Sequence, residues 1–204
     1  MTKRSSGWAL TLLAMLAACG AVEVPEDFTY RLPAPEPRLV AGASAGTLRV
    51  AELDVVAELA GDRLLIADEG TRLRAYRHHH WAGPLERMVA DAIVTGLVRS
   101  RRFAEVKSPS SSGLEELVLV GRVLDFHQVR AEDGWRARAT FELRLSREDG
   151  TLVFQDELRA DTPMSVSDPD TLARALGTSV GTIVDEFVQR CDRAGLFATA
   201  RPPR

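Results

Sequence analysis

Trp135-Arg136-Ala137-Arg138-Ala139-Thr140-Phe141-Glu142-Leu143-Arg144-Leu145-Ser146 alternates apolar and polar side chains without a break. Successive side chains of an extended strand point to opposite faces. Trp135, Ala137, Ala139, Phe141, Leu143 and Leu145 are therefore expected on a core, and Arg136, Arg138, Thr140, Glu142, Arg144 and Ser146 in water. Glu148-Asp149-Gly150 is a turn signal, and Leu152, Phe154 and Leu158 continue beyond it at even spacing. On the other side, Leu117 to Val120 is apolar on both faces and belongs in the middle of a sheet. The three segments predict an antiparallel meander with one covered face.

The cover comes from two helical patterns. Gly83-Pro84 supplies an N-cap and a proline at the first helical position, and Leu85, Met88, Val89, Ala92, Ile93, Gly96 and Leu97 follow at helical spacing. Glu86, Arg87, Asp91, Thr95 and Arg99 take the opposite side. Asp168-Pro169 starts a second helix with Leu172, Leu176, Val180, Ile183, Val184 and Phe187 on one stripe, running to about Arg190. Ahead of the first helix, Thr47 to Val55, Arg63 to Ala67 and Arg72 to Arg77 read as strands, the last two joined through a Glu69-Gly70 turn. The order of strands, helix, strands, helix predicts an α+β fold: a mixed, largely antiparallel sheet with two main amphipathic helices packed on one face.

The N-terminal region reads differently. Lys3 and Arg4 precede the apolar stretch Trp8 to Leu16, which ends in Leu16-Ala17-Ala18-Cys19. This is the layout of a secretory signal with a lipoprotein box, residues 1–18 being removed and Cys19 acylated. The apolar stretch is shorter than the ~20 residues that a transmembrane helix needs. Gly20 rather than Asp follows the cysteine, which points to the outer membrane by the sorting tendency of enteric lipoproteins. Pro25, Pro33, Pro35 and Pro37 lie in a segment with no sustained period, so residues 19–46 are expected to be an extended tether reaching up to roughly 75 Å. Residues 47–191 then form one domain, with 192–204 as a tail.

Charge and chemistry narrow the function classes. The formal net charge is −3, and losing Lys3 and Arg4 takes it to about −5, so no strongly basic surface remains for nucleic acid. Cys191 would be the one cysteine left beside Cys19, near the end of the last helix, where a small half-buried apolar residue fits. His78-His79-His80 carries the commonest transition-metal ligand type. In an extended chain His78 and His80 share a face at most, and no Cys or H-x-x-x-H spacing adds ligands, so no metal and no cofactor are expected. The triplet reads instead as a polar lead-in to the first helix, with Trp81 packed over its first turn near Leu85 or Met88. The sequence holds no G-x-S-x-G elbow, no phosphate-cradling glycine loop and no nucleophile spacing. Glu115-Glu116, Glu132-Asp133 and Glu148-Asp149 fall in turns or strand ends, as solvated residues do. No catalytic residue is assigned.

The junction Arg77, His78, His79, His80 and Trp81 is the candidate partner interface, because Trp and Arg most often anchor interfaces and loops beside rigid elements carry binding. The outer row Arg136, Arg138 and Arg144 is the next candidate, for acidic protein or lipid headgroups.

Taken together, the Leu16-Ala17-Ala18-Cys19 box, the proline-rich lead, the strand pair around Asp62-Arg63-Leu64, the block His80-Trp81-Ala82-Gly83-Pro84-Leu85 opening a helix, the meander and the terminal amphipathic helix resemble the ABC-type transport auxiliary lipoproteins. The resemblance implies a lipid-anchored, non-enzymatic component of an envelope ABC/MCE-type lipid transport complex, docking it at the outer membrane. Its partners would be an MCE-domain protein with its ABC transporter, outer-membrane lipid through acylated Cys19, and, if it self-associates, further copies of the chain. The alternative is an assembly or plug lipoprotein for an outer-membrane β-barrel such as the lipopolysaccharide translocon. Neighbouring genes for an MCE protein and an ATPase, rather than a barrel, separate the two. A periplasmic hydrolase is the third class, and the missing site chemistry speaks against it.

Overall fold

Leu117–Ala131 and Gly134–Arg147 are the two arms of a single long antiparallel ladder, and that ladder organises the molecule. A computed structural model describes residues 25–38, 42–67, 71–111 and 113–198. Its elements are β1 Phe28–Tyr30, β2 Ala45–Val50, β3 Asp54–Val55, β4 Arg63–Ala67, β5 Leu73–Trp81, α1 Leu85–Ser100, β6 Phe103–Lys107, β7 Leu117–Ala131, β8 Gly134–Arg147, β9 Leu152–Met164 and α2 Pro169–Arg193.

β7 is the spine. One of its edges pairs antiparallel with β8 from Leu117↔Arg147 to Ala131↔Gly134. Its other edge is shared in succession by the parallel strands β2, β3 and β4, through Leu48↔Leu117, Val55↔Val123 and Ile66↔Gln128. β9 extends the sheet beyond β8, β6 beyond β2, β5 beyond β4 and β1 beyond β5. The long ladders are antiparallel and the short ones mostly parallel, giving the mixed sheet expected of an α+β chain. Gly121 is required where the layers crowd: a Cβ there would lie 2.7 Å from Leu143 Cδ2 and 2.8 Å from the Glu142 carbonyl oxygen.

The alternation in β8 has the expected consequence except at Thr140, which is buried rather than in water, and at Trp135, which is only half-buried. Ala137, Ala139, Phe141, Leu143 and Leu145 are buried, and Glu142 and Arg144 are exposed. α2 lies over this inner face, where Ser179 Oγ donates to the Ala137 carbonyl at 3.3 Å and Phe187 meets Phe154 edge-on at 5.3 Å. Asp168 caps α2, its Oδ1 accepting from the Thr171 N–H at 2.9 Å, with Pro169 in the first turn. α1 packs beside α2, and Gly96 permits the approach, since a Cβ there would be 3.1 Å from Val184 Cγ2. α1 begins one residue later than the sequence predicts, with Pro84 rather than Gly83 at the cap, and ends at Arg101 in the left-handed region (φ 56°).

Three expectations need correction. Within the segment 19–46, expected as an extended tether, the described residues 25–38 are packed on the body: β1 is paired in the sheet, and Pro33 and Pro35 lie on the glycines Gly177, Gly96 and Gly181 of the two helices. This strap is tied down by the Arg38 N–H on Asp185 Oδ1 (2.7 Å) and by Arg99 on the Pro35 carbonyl (2.7 Å). Proline suits it because a segment pressed on helix surfaces makes no ladder and needs few N–H donors. Second, residues 192–198 are not a free tail, since Leu196 and Phe197 are buried and Phe197 meets Phe103 edge-on at 5.6 Å. Third, Cys191 is fully buried rather than half-buried, and burial pushes its thiol up to about 12, leaving it unreactive. The Glu69-Gly70 turn, the signal segment, Cys19 and the last six residues lie outside the described residues.

Candidate functional site

β5 carries the histidine triplet, and its pleat separates the three rings. His78 and His80 share the outer face, as the extended spacing requires. There, His78 Nδ1 lies 3.0 Å from Asp27 Oδ1, while His80 Nδ1 lies 3.2 Å from Asp62 Oδ2 and its Nε2 3.9 Å from Asp27. His79 points the other way into an aromatic nest. It stacks on Phe28 at 5.3 Å, meets Tyr76 edge-on at 5.8 Å, and its Nδ1 is 2.9 Å from the Tyr30 hydroxyl. Burial, followed by the carboxylates of Asp168 and Asp170, raises the Tyr30 hydroxyl above its usual range, so it stays protonated. The triplet thus fastens β1 to the sheet edge from both faces. Among the described residues, no set of three or more His, Cys, Asp or Glu side chains is arranged to hold a metal.

Trp81 does not belong to an accessible interface. It is 4% exposed and packs on Phe126, ring centres 5.8 Å apart, in the same core as Leu85. Arg77 is exposed, and His78, His79 and His80 are half-buried, so the structure keeps four of the five predicted interface residues at the surface. Beside them, Leu32, Ala34, Gly83, Pro84, Arg87 and Met88 line an open groove of about 310 Å³ between the strap and α1.

The arginine row on the outer face is not a simple solvated stripe. Arg138 grips Asp161 with two hydrogen bonds of 2.9 and 3.1 Å, and Arg159 reaches the same carboxylate at 2.7 Å. Burial raises the Asp161 carboxyl, but the two guanidiniums more than offset it and hold it at about 2. Arg136 is paired with Asp133. On the same face His127 is buried opposite Arg138, and desolvation lowers its pKa, so the ring is kept neutral. Its Nδ1 and the Thr140 hydroxyl have no hydrogen-bond partner. Arg144 faces an open depression of about 560 Å³ with Arg122, Glu142, Asp54 and Gln155. Sequence reasoning missed Asp161, His127 and β1. Asp161 and His127 could have been found by pairing their strands with β8, whereas Phe28 to Tyr30 is too short to show a period.

Among the described residues, no helix is long and apolar enough to cross a membrane. Residues 30–188, from β1 to near the end of α2, match the model of a family described as ABC-type transport auxiliary lipoprotein component. No curated protein matches the chain. Among solved structures, protein XCC0632 from Xanthomonas campestris, assigned to family-model DUF330, is similar at 19% identity with a TM-score of 0.70, covering 82% of this chain and 96% of that one. An uncharacterized protein is similar at 17% identity and a TM-score of 0.60, covering 83% and 96%. At such identities these two show the fold alone.

Proposed function

The chain belongs to the family of ABC-type transport auxiliary lipoprotein components, and from that premise we propose that it is a non-enzymatic part of an MCE-type lipid transport complex, held in the outer membrane by acylated Cys19. The observation that carries this reading is the extent of the family match, which runs from the last residue of β1 through α1 and the meander to near the end of α2. The Leu16-Ala17-Ala18-Cys19 box supplies the anchor, and the absence of nucleophile or metal chemistry in the sequence agrees with a binding role. The partner surface is the edge formed by β1 and β5, where Arg77 and His78 stand outside the core and Trp81 supports them from within.

The test is affinity purification of the full-length lipidated protein from cross-linked envelopes. The MCE-domain protein and the permease should co-purify. Arg77→Glu should weaken their recovery several-fold at an unchanged melting temperature, and His78→Ala should do the same with a melting temperature lowered only by the loss of one exposed contact to Asp27. Recovery of an outer-membrane β-barrel in their place would establish the plug reading instead, and undiminished recovery by both variants would move the interface off this edge.

A further inference from the structure

The strap touches α1 at two places and leaves a gap between them. Where α1 begins, the Ala82 N–H donates to the Tyr30 carbonyl at 2.7 Å, which sets Arg31 beside Ala82. Farther along, a Cβ at Gly96 would lie 3.2 Å from Pro35 Cγ, and Arg99 donates to the Pro35 carbonyl at 2.7 Å. The open groove of about 310 Å³ lies between these contacts. It follows α1 from Pro84 to Thr95, about 16 Å at the helical rise.

The two ends of the groove differ. Leu32, Ala34, Pro84, Met88 and Ala92 give it an apolar wall that runs toward Pro35. Arg31 and Arg87 stand at the other end, one on the strap and one in the first turn of α1. Both are exposed, and among the described residues neither has a hydrogen bond or an ion pair. Asp91 is the one carboxylate on the lining, a turn farther along α1 than Arg87. Two guanidiniums at one end therefore face one carboxylate.

This layout selects among occupants. A peptide needs partners for the N–H and C=O groups it buries, and the Thr95 hydroxyl on the lining already donates to the Asp91 carbonyl at 2.8 Å. An acyl chain needs none, and about twelve extended carbons match the length of roughly 16 Å. A phosphate at its head meets two planar guanidiniums, whose N–H groups fit phosphate oxygens in pairs. We propose that the groove between the strap and α1 binds an envelope phospholipid by one acyl chain, with the phosphate held between Arg31 and Arg87. It rests on the transport reading put forward above, which supplies the phospholipid, and it puts the folded body itself in contact with the cargo.

Photo-labelling reads the groove directly. The full-length acylated protein in phosphatidylcholine vesicles is given lysophosphatidate with a diazirine in its acyl chain, and the labelled residues are mapped by mass spectrometry. A monoacylglycerol with the same chain is the neutral counterpart. Label is expected on Leu32, Ala34, Met88 or Ala92. It should fall several-fold with the monoacylglycerol and in the double variant Arg31→Gln, Arg87→Gln, and vanish in Ala34→Trp, whose indole fills the groove. Arg31, Ala34 and Arg87 are exposed, so these variants should keep the parent melting temperature. Unlabelled lysophosphatidates should compete up to roughly fourfold better per added CH₂, levelling off near about twelve carbons. Equal labelling by the monoacylglycerol, or in the double variant, overturns the phosphate seat and the proposal with it. Label that enters the groove only in Cys19→Ala shows the protein's own anchor chain there and overturns the phospholipid. No label in the groove overturns the proposal and leaves the groove to a protein partner, while co-purification of the MCE-domain protein keeps the transport reading standing. Label without that co-purification overturns the transport reading, and the envelope phospholipid as the source with it.

Discussion

Trp81, Asp161 and Arg101 show how much one side chain decides here. Trp81 is buried against Phe126, so Trp81→Ala should lower stability by ~3–5 kcal/mol, as aromatic truncations in cores do; urea denaturation measures it. A loss under ~1 kcal/mol would mean that the indole is not part of the core. Asp161 gives stability a pH dependence of definite sign. Its folded pKa of about 2 lies below the ~3.9 of an unfolded chain, so its contribution is complete above about pH 4 and is lost as pH falls toward 2. The shift corresponds to at most ~2.5 kcal/mol, less after screening at a carboxylate one quarter exposed. Asp161→Asn should flatten the fall of melting temperature between pH 4 and 2; an unchanged profile would show the pair is idle. Buried His127, also depressed, acts in the same sense at higher pH, its contribution being lost as pH falls below ~6.5. Arg101 sits at φ 56°, where a side chain is strained and glycine is not, so Arg101→Gly should stabilise by ~1 kcal/mol. A lower melting temperature for that variant would mean its side chain matters more than its backbone.

At the scale of elements, legibility in the sequence follows length and period. β8 could be read at most positions because one face is covered by α2 and the other is largely open, so Phe141 and Arg144 announce their sides, whereas Thr140 on the outer face is buried. β7 could be read only at its start, from Leu117 to Val120. Its later part mixes Asp125, His127 and Gln128 with apolar residues, because both edges are paired and polar side chains are satisfied by neighbours such as Tyr76, whose hydroxyl donates to Gln128 at 2.8 Å. β1 and the proline strap were illegible for a different reason: they have no period, and what holds them, the histidine triplet for β1 and bare helix glycines for the strap, is distant in sequence. That makes Gly177 a test of the strap. A Cβ there would lie 3.0 Å from the Pro33 carbonyl oxygen. Gly177→Val should therefore cost ~1–3 kcal/mol, as overpacking does, and should speed amide exchange at Arg38. Unchanged exchange would show that the strap does not depend on this contact.

The described molecule is a long two-sided ladder with helices on its inner face and a strap over the helices. The order of strands and helices, the covered face and the family resemblance were readable before any coordinates, since each rests on local pattern. The candidate site was readable only in part. The histidine triplet was conspicuous, but its division between an Asp27–Asp62 face and an aromatic nest depends on β1, and the withdrawal of Trp81 into the core depends on Phe126, forty-five residues away. Everything proposed for the molecule's work depends on Cys19. The most direct measurement is intact mass and membrane fractionation of the wild-type protein beside Cys19→Ala. The account predicts a wild-type chain that begins at Cys19, carries acyl chains and sediments with the outer membrane, and a variant that is unacylated and either released or left with its signal attached. A variant that loses its signal normally and still stays in the membrane would contradict it.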